Sequence, residues 1–366
     1  MVICLSPGGQ TITEGERSTN MLLVGTARGI FSFERRDGSW RPRETLLAGE
    51  HISALLFEPS SRMLFAGTYG EALFASKDLG QSWERRGNGI GNREIYTLAL
   101  QEVEGKPRLY AGTQPAHLFF SDDLGQHWTE LPALRQVPGV EKWTFPGPPH
   151  QAHVKSLAFD PSHPDCFYAA VEVGGFLKTV DGGKTWKTVS GLNPDAHRVL
   201  VPASDPENVY LVMPTTNGAP TDIAGVSVSE DGGESWKSLT PRDFRIGYVD
   251  PLLVHPGNRN LIYTAGAKTG PGTWRRTQTA DARIARSRDG GESWQILNGG
   301  LPEHIRGNIE AMAMDVWHGG FALFAGTTDG EVFSSIDEGD HWEKIIQGIG
   351  PVSKAHHYQN FQASAA

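Results

Sequence analysis

His51, His153 and His197 each open a short apolar segment, HISALLF, HVKSLAF and HRVLVPA. Neutral imidazoles recurring in this way are candidate ligands for a divalent transition metal. Glu94 (EIYTLAL) and Asn308 (NIEAMAM) open two further segments of the same kind. Two residues on, the shared register places Ser53, Tyr96, Lys155 and Glu310. Glu172 closes the run Tyr168-Ala-Ala-Val-Glu172 and adds a third carboxylate. Glu94, Glu172 and Glu310, with His153 as proton carrier, make a set suited to general acid–base or glycosidic chemistry. Tyr96, His150 and Lys155, with Arg275, Arg276 and Arg306, are groups that grip a polar or anionic ligand, because guanidinium forks bind carboxylates bidentately. The plainer reading is a water-filled channel lined by polar side chains and rimmed by solvated arginines.

A repeat must position these residues. The pattern Ser/Thr-x-Asp-x-Gly-x-x-Trp begins at Ser76, Ser121, Thr179, Ser229, Ser287 and Ser335, and a decayed copy runs Arg36-Asp37-Gly38-Ser39-Trp40. The closing tryptophans, Trp40, Trp83, Trp128, Trp186, Trp236, Trp294 and Trp342, are 43 to 58 residues apart, the period of four-stranded propeller blades. The Asp accepts hydrogen bonds from turn amides, the Gly supplies a positive φ, and the Trp clamps the hairpin. Such a turn is a staple rather than a row of catalysts.

This motif resembles the Asp-box, or BNR, repeat of sialidases, xyloglucanases, sortilin-type receptor domains and photosystem II assembly factor propellers. The resemblance covers nearly the whole chain and implies an all-β fold. The expectation is a single seven-bladed β-propeller over 1–366, with four-stranded antiparallel blades and Asp-box hairpins between strands C and D. Inner strands are expected at 52–57, 95–100, 154–159, 199–202, 246–249 and 309–314. The first unit lacks a clear inner strand, so a terminal segment, 1–20 or 351–366, is expected to close the ring.

Alternating strand direction puts every Asp-box on one face and the long loops 132–152, 214–225 and 267–281 on the other. The candidate residues gather at that second face, with Lys354, His356, His357 and Tyr358 of the tail able to cap it. The resemblance implies glycoside-hydrolase-like binding or processing of a small polar ligand, anionic or carbohydrate. The chain departs from sialidases, which are six-bladed and carry an Arg-Ile-Pro and an arginine triad absent from this sequence. It departs from xyloglucanases, which pair two propellers. A metal-dependent enzyme using His51, His153 and His197, and a non-catalytic scaffold for a protein partner, are the alternatives. No cofactor is required by the sequence beyond that possible axial metal.

The formal net charge of −9 argues against nucleic acid as a partner. Cys4 and Cys166 are too few for a disulfide framework. With no basic leader and no apolar run of membrane-spanning length, the expectation is a cytoplasmic chain that does not enter a membrane.

Overall fold

The computed structural model describes residues 1–361 apart from 71, 92, 216–222 and 242. The chain forms a seven-bladed β-propeller, seven sheets following one another along the sequence. Most of the expected insertion at 214–225 lies outside the described residues. No helix among the described residues is long and apolar enough to cross a membrane.

Each repeated turn is held by the same hydrogen bonds. In the second blade, Ser76 Oγ donates to Asp78 Oδ1 at 2.8 Å and accepts the Gly80 amide at 2.7 Å. Asp78 Oδ1 also accepts the amide of Ser82 at 2.8 Å. Thr179, Asp181, Gly183 and Thr185 repeat the arrangement in the fourth blade, and Ser287, Asp289, Gly291 and Ser293 in the sixth. The indole of Trp128 then donates to the Arg86 carbonyl at 2.7 Å, tying its turn to the preceding blade. Between blades lie the apolar cores. Leu253, Tyr263 and Ile284 of the sixth blade, for example, pack with Met312, Leu323 and Phe333 of the seventh.

Five inner strands share a defect that decides where side chains go. In the third blade Ile95 pairs with Thr113 and Thr97 with Gly112, leaving Tyr96 as an extra residue. Ser53, Lys155 and Glu310 are extra in the same way in blades two, four and seven. In the sixth blade the extra residue falls at Asp250-Pro251. A bulge of this kind bends the strand and re-aims one side chain. Here the re-aimed groups reach across blades: Tyr96 stacks on His153, and Lys155 approaches Asp250.

The ring closes through the N-terminal segment. Ile3–Leu5 supplies the inner strand of the first blade but runs parallel to Met21–Thr26, not antiparallel as expected. The chain then turns inside the channel. Gly8 N donates to the Ser53 carbonyl, Gln10 N to the Leu55 carbonyl, and Leu98 N to the Gly8 carbonyl. A Cβ on Gly8 would lie 1.9 Å from the Tyr96 carbonyl oxygen, and one on Gly9 would lie 2.0 Å from that of Leu55, so only glycine fits. Ile12–Gly15 continues as a fifth strand on the seventh blade, parallel to its inner strand Ile309–Trp317. First and last blades are thereby joined. The inner strand of the sixth blade, expected at 246–249, is Tyr248–His255.

The repeated turns give a pH signature. Hydrogen bonds from the side-chain hydroxyls of Ser82, Thr185 and Ser293, and then from their amides, hold the carboxyls of Asp78, Asp181 and Asp289 down at about 2. Because the folded values lie below the ordinary 3.8, this stabilisation is present above pH 4 or so and is lost as the pH falls through about 2. Urea midpoints should drop over that window, and the drop should be shallower in Asp289→Asn, which cannot titrate there. Equal slopes would exclude a contribution from these turns.

Candidate functional site

The face opposite the repeated turns carries a buried mixed-charge cluster assembled from four blades and the tail. Glu172 lies at its centre. Its Oε2 is 2.8 Å from Lys155 Nζ and 2.9 Å from His153 Nε2. Its Oε1 is 3.3 Å from His197 Nε2 and accepts from the Tyr248 hydroxyl at 3.4 Å. Asp250 lies 3.6 Å from Lys155 and pairs directly with Lys354 of the tail. Glu310 accepts the Lys354 amide at 2.8 Å and lies 2.9 Å from His357 Nδ1. All these side chains are buried.

Burying charge without water is costly unless each charge meets an opposite one. Burial works to raise the Glu172 carboxyl, yet Lys155, Lys354 and His197 hold it well below the usual carboxylate range. Burial likewise opposes ionisation of Glu310, which His357 and Lys354 overcome. Lys155 is pushed down to about 8 by desolvation, which Asp250 and Glu172 only partly offset. Lys354 moves the other way, because the surrounding carboxylates outweigh its burial.

The chain seals this cluster on both sides. Below, Arg198 donates to the carbonyl of Pro7 in the N-terminal turn. Above, the tail covers it. Ala27 N donates to Pro351 O and Val352 N to Thr327 O, and His51 Nε2 lies 2.9 Å from Ser353 O. Arg306 anchors the far end, pairing with Asp329 at 2.8 Å and donating to the Phe361 carbonyl at 3.0 Å. Phe361 stacks on Trp274 of the short helix Pro271–Thr277, which lies in the expected insertion at 267–281.

The expected residues therefore divide into groups. His153, Lys155, Glu172, His197 and Glu310 belong to the buried cluster. His51 and Tyr96 form an aromatic wall beside it. His51 stacks on Tyr69 at 4.9 Å, Tyr69 meets Tyr96 at 4.8 Å, and Tyr96 stacks on His153 at 3.7 Å. Glu94 is half-buried at the start of its strand. Exposed His150 turns to the Phe145 carbonyl, while Arg275 and Arg276 are exposed on the short helix. The three histidines do not share one ion. Among the described residues, Glu172, Asp195 and His197 are the group whose ligand atoms come close enough to hold one. His51 and His153 are instead drawn to Ser353 and Glu172.

Tyr248, Asp250, Asp195 and Arg198 were not anticipated. A signal for the first two exists in the sequence. Tyr248-Val-Asp250 repeats the polar–β-branched–polar form of His51-Ile-Ser53, Glu94-Ile-Tyr96, His153-Val-Lys155 and Asn308-Ile-Glu310.

At the opposite end, on the face of the repeated turns, the channel opens as a cavity of about 650 Å³. Gln10, Leu98, Gln101, Phe159, Arg198 and Leu200 contribute to its lining.

No family model matches the chain. A curated xyloglucanase from Paenibacillus sp. is 26% identical over 137 residues, covering 33% of this chain and 13% of that protein. The structure of the GH74 xyloglucanase from Xanthomonas campestris superposes with a TM-score of 0.65 at 18% identity, over 95% of this chain and 56% of that one. YCF48 from Cyanidioschyzon merolae superposes with a TM-score of 0.58 at 15% identity, over 90% of this chain and 96% of that one. These likenesses establish the fold. The chain spans little more than half of the xyloglucanase structure and a small fraction of the curated relative.

Lys354 links the tail to the cluster, so Lys354→Met should leave Asp250 buried without its closest cation and cost about 3–5 kcal/mol. Denaturant titration measures the loss. Amide exchange over 351–361 should quicken at the same time, and unchanged protection there would show that this ion pair does not hold the tail.

Proposed function

We propose that this propeller binds a small polar ligand of the carbohydrate class at the axial mouth opposite the repeated turns. The observation that carries the reading is the run of rings His51, Tyr69, Tyr96 and His153, which leads directly to the buried ionic cluster. Aromatic faces beside a few convergent polar groups suit sugar rings and their hydroxyls. The fold likeness to GH74 xyloglucanases, proteins of the Asp-box type that this sequence resembles, supports the same class.

Exposed Arg275 and Arg276 favour a ligand bearing a carboxylate. Glu172 and Glu310 are ionised but buried beneath the tail, so turnover would need 351–361 to lift. It would then use them as base, nucleophile or charge stabiliser, with His153 positioned by Glu172 and Glu94 at the half-buried rim. Proton donation would fall to Lys155, the group brought nearest to neutrality.

Calorimetry with neutral xyloglucan oligosaccharides and with uronate oligosaccharides tests this. Binding of the acidic set is expected, weakened about tenfold or more by Tyr96→Ala. Absence of binding to every sugar at millimolar concentration overturns the reading, as does unaltered affinity in Tyr96→Ala.

The cavity on the other face favours a second reading, a scaffold for a protein partner. Among the described residues, the inner strand of the fourth blade, His153–Phe159, has no strand on its axial edge, whereas the seventh blade has Ile12–Gly15 there. A sheet edge facing a cavity can accept an extended peptide. The YCF48 propeller solved bound to a D1 peptide has the same fold. Sugar binding abolished by Tyr96→Ala favours the first reading. Protein capture abolished by Leu98→Arg, on the cavity wall, favours the second.

A further inference from the structure

The cavity on the face of the repeated turns has a buried cation at its inner end. Arg198 belongs to the inner strand of the fifth blade, Arg198–Leu200, and is 6% exposed. Its Nη2 donates to the Pro7 carbonyl, while Nε is buried with no hydrogen-bond partner. Among the described residues no carboxylate forms an ion pair with it, and Asp250 acts on it only at longer range. A guanidinium offers five N–H donors in one planar fork. Burial works against the charge of this one, and its donors are largely unspent.

The walls leading out from Arg198 are apolar. Leu100, Leu157, Phe159, Leu200 and Val201 line the cavity and are only half-buried, so they keep apolar surface that no blade covers. Gly9 and Gln10 of the N-terminal turn close the inner end. Acidic groups stand at the outer end, where Glu102 is exposed and Asp160 half-buried.

The depth follows from strand register. Ser156 is level with Arg198, since its hydroxyl bonds to the Val199 carbonyl, and Asp160 lies further out on the same strand. At about 3.3 Å per residue, the distance between those levels is about 13 Å. An extended alkyl chain of about ten carbons, with bonds of about 1.5 Å, spans it. The volume of about 650 Å³ is that of a small-molecule site. A neutral ligand would leave the buried guanidinium unmatched, and a dianion would bring its second charge to Glu102 and Asp160. One carboxylate on an apolar body meets both conditions, because the fork grips it bidentately.

We propose that this cavity binds a linear apolar monocarboxylate of the fatty-acid class. Arg198 holds the carboxylate, and the chain lies along Leu157, Phe159 and Leu200. The site is at the other end of the channel from the aromatic rings and does not rest on the carbohydrate reading. It competes with the scaffold reading for one cavity, whose closed inner end suits a short ligand better than a strand laid across the opening.

The test is calorimetry of the full chain, freed of lipid on a hydrophobic resin, with decanoate, decanol and decanedioate. Decanoate should bind at one site per chain with a negative heat-capacity change. Decanol, which lacks the charge, and decanedioate, which meets the acidic rim, should each bind at least about tenfold more weakly. Arg198→Met should weaken decanoate by about tenfold or more. Leu200→Glu, at a half-buried wall position, should do the same while leaving the Arg198 bond to Pro7 in place. Absence of decanoate binding at millimolar concentration overturns the proposal, as does equal binding of decanol or unaltered affinity in a folded Leu200→Glu. Uronate binding without decanoate binding would overturn this inference alone and leave the carbohydrate reading intact. Protein capture lost in Leu98→Arg, again without decanoate binding, would give the cavity to the scaffold reading instead.

Discussion

Charge placed where water cannot follow must be met by charge, and the axis of this ring is organised by that constraint. Lys155, Glu172, Arg198, Asp250, Glu310 and Lys354 are all buried, and they come from blades four to seven and the tail. None could be accommodated alone, since a lone buried ion costs several kcal/mol. Each therefore fixes the others, and the blades that carry them are held at one mutual distance. The bulges make this possible. A regular strand would send the same side chains into the apolar layers between blades, where no partner waits.

The fold was legible because its signal is local and repeated. A turn such as Ser287-Arg-Asp289-Gly-Gly291-Glu-Ser293-Trp294 contains its own donors and acceptors, so sequence spacing and structure coincide. The site was partly legible for the same reason, since the polar residue two places into each inner strand recurs. Blade six escaped because the strand starts two residues later than its apolar pattern suggests and carries Pro251 in the bulge. Residue type alone could not give the ligand geometry. His51 and His153 have the right chemistry for a metal but are engaged by Ser353 and Glu172. The N-terminal turn and the tail left little trace, because their contacts join residues from tens to hundreds of positions apart and occur once each.

The two ends of the channel consequently differ in character. Hydroxyl, carboxylate and indole at the repeated turns hold hairpins shut, and the space they surround is lined largely by strand edges and apolar side chains. At the other end the loop 132–152, the short helix and the tail enclose a polar interior. The turn at Pro7-Gly8-Gly9 is the floor between them, packed so closely against Leu55 and Tyr96 that a single added carbon would collide with backbone.

That floor also bears on the order in which the molecule can be built. Ile12 pairs with Met314 and Thr19 with Asp315, so residues near the start of the chain wait for partners made roughly 300 residues later. Until the seventh blade exists, Ile12–Gly15 has no strand to pair with, although the glycine turn already has its partners in blades two and three. Ribosomal synthesis thus reaches an almost finished ring that is still open along one seam, and closure becomes a late, concerted event instead of the addition of one more blade.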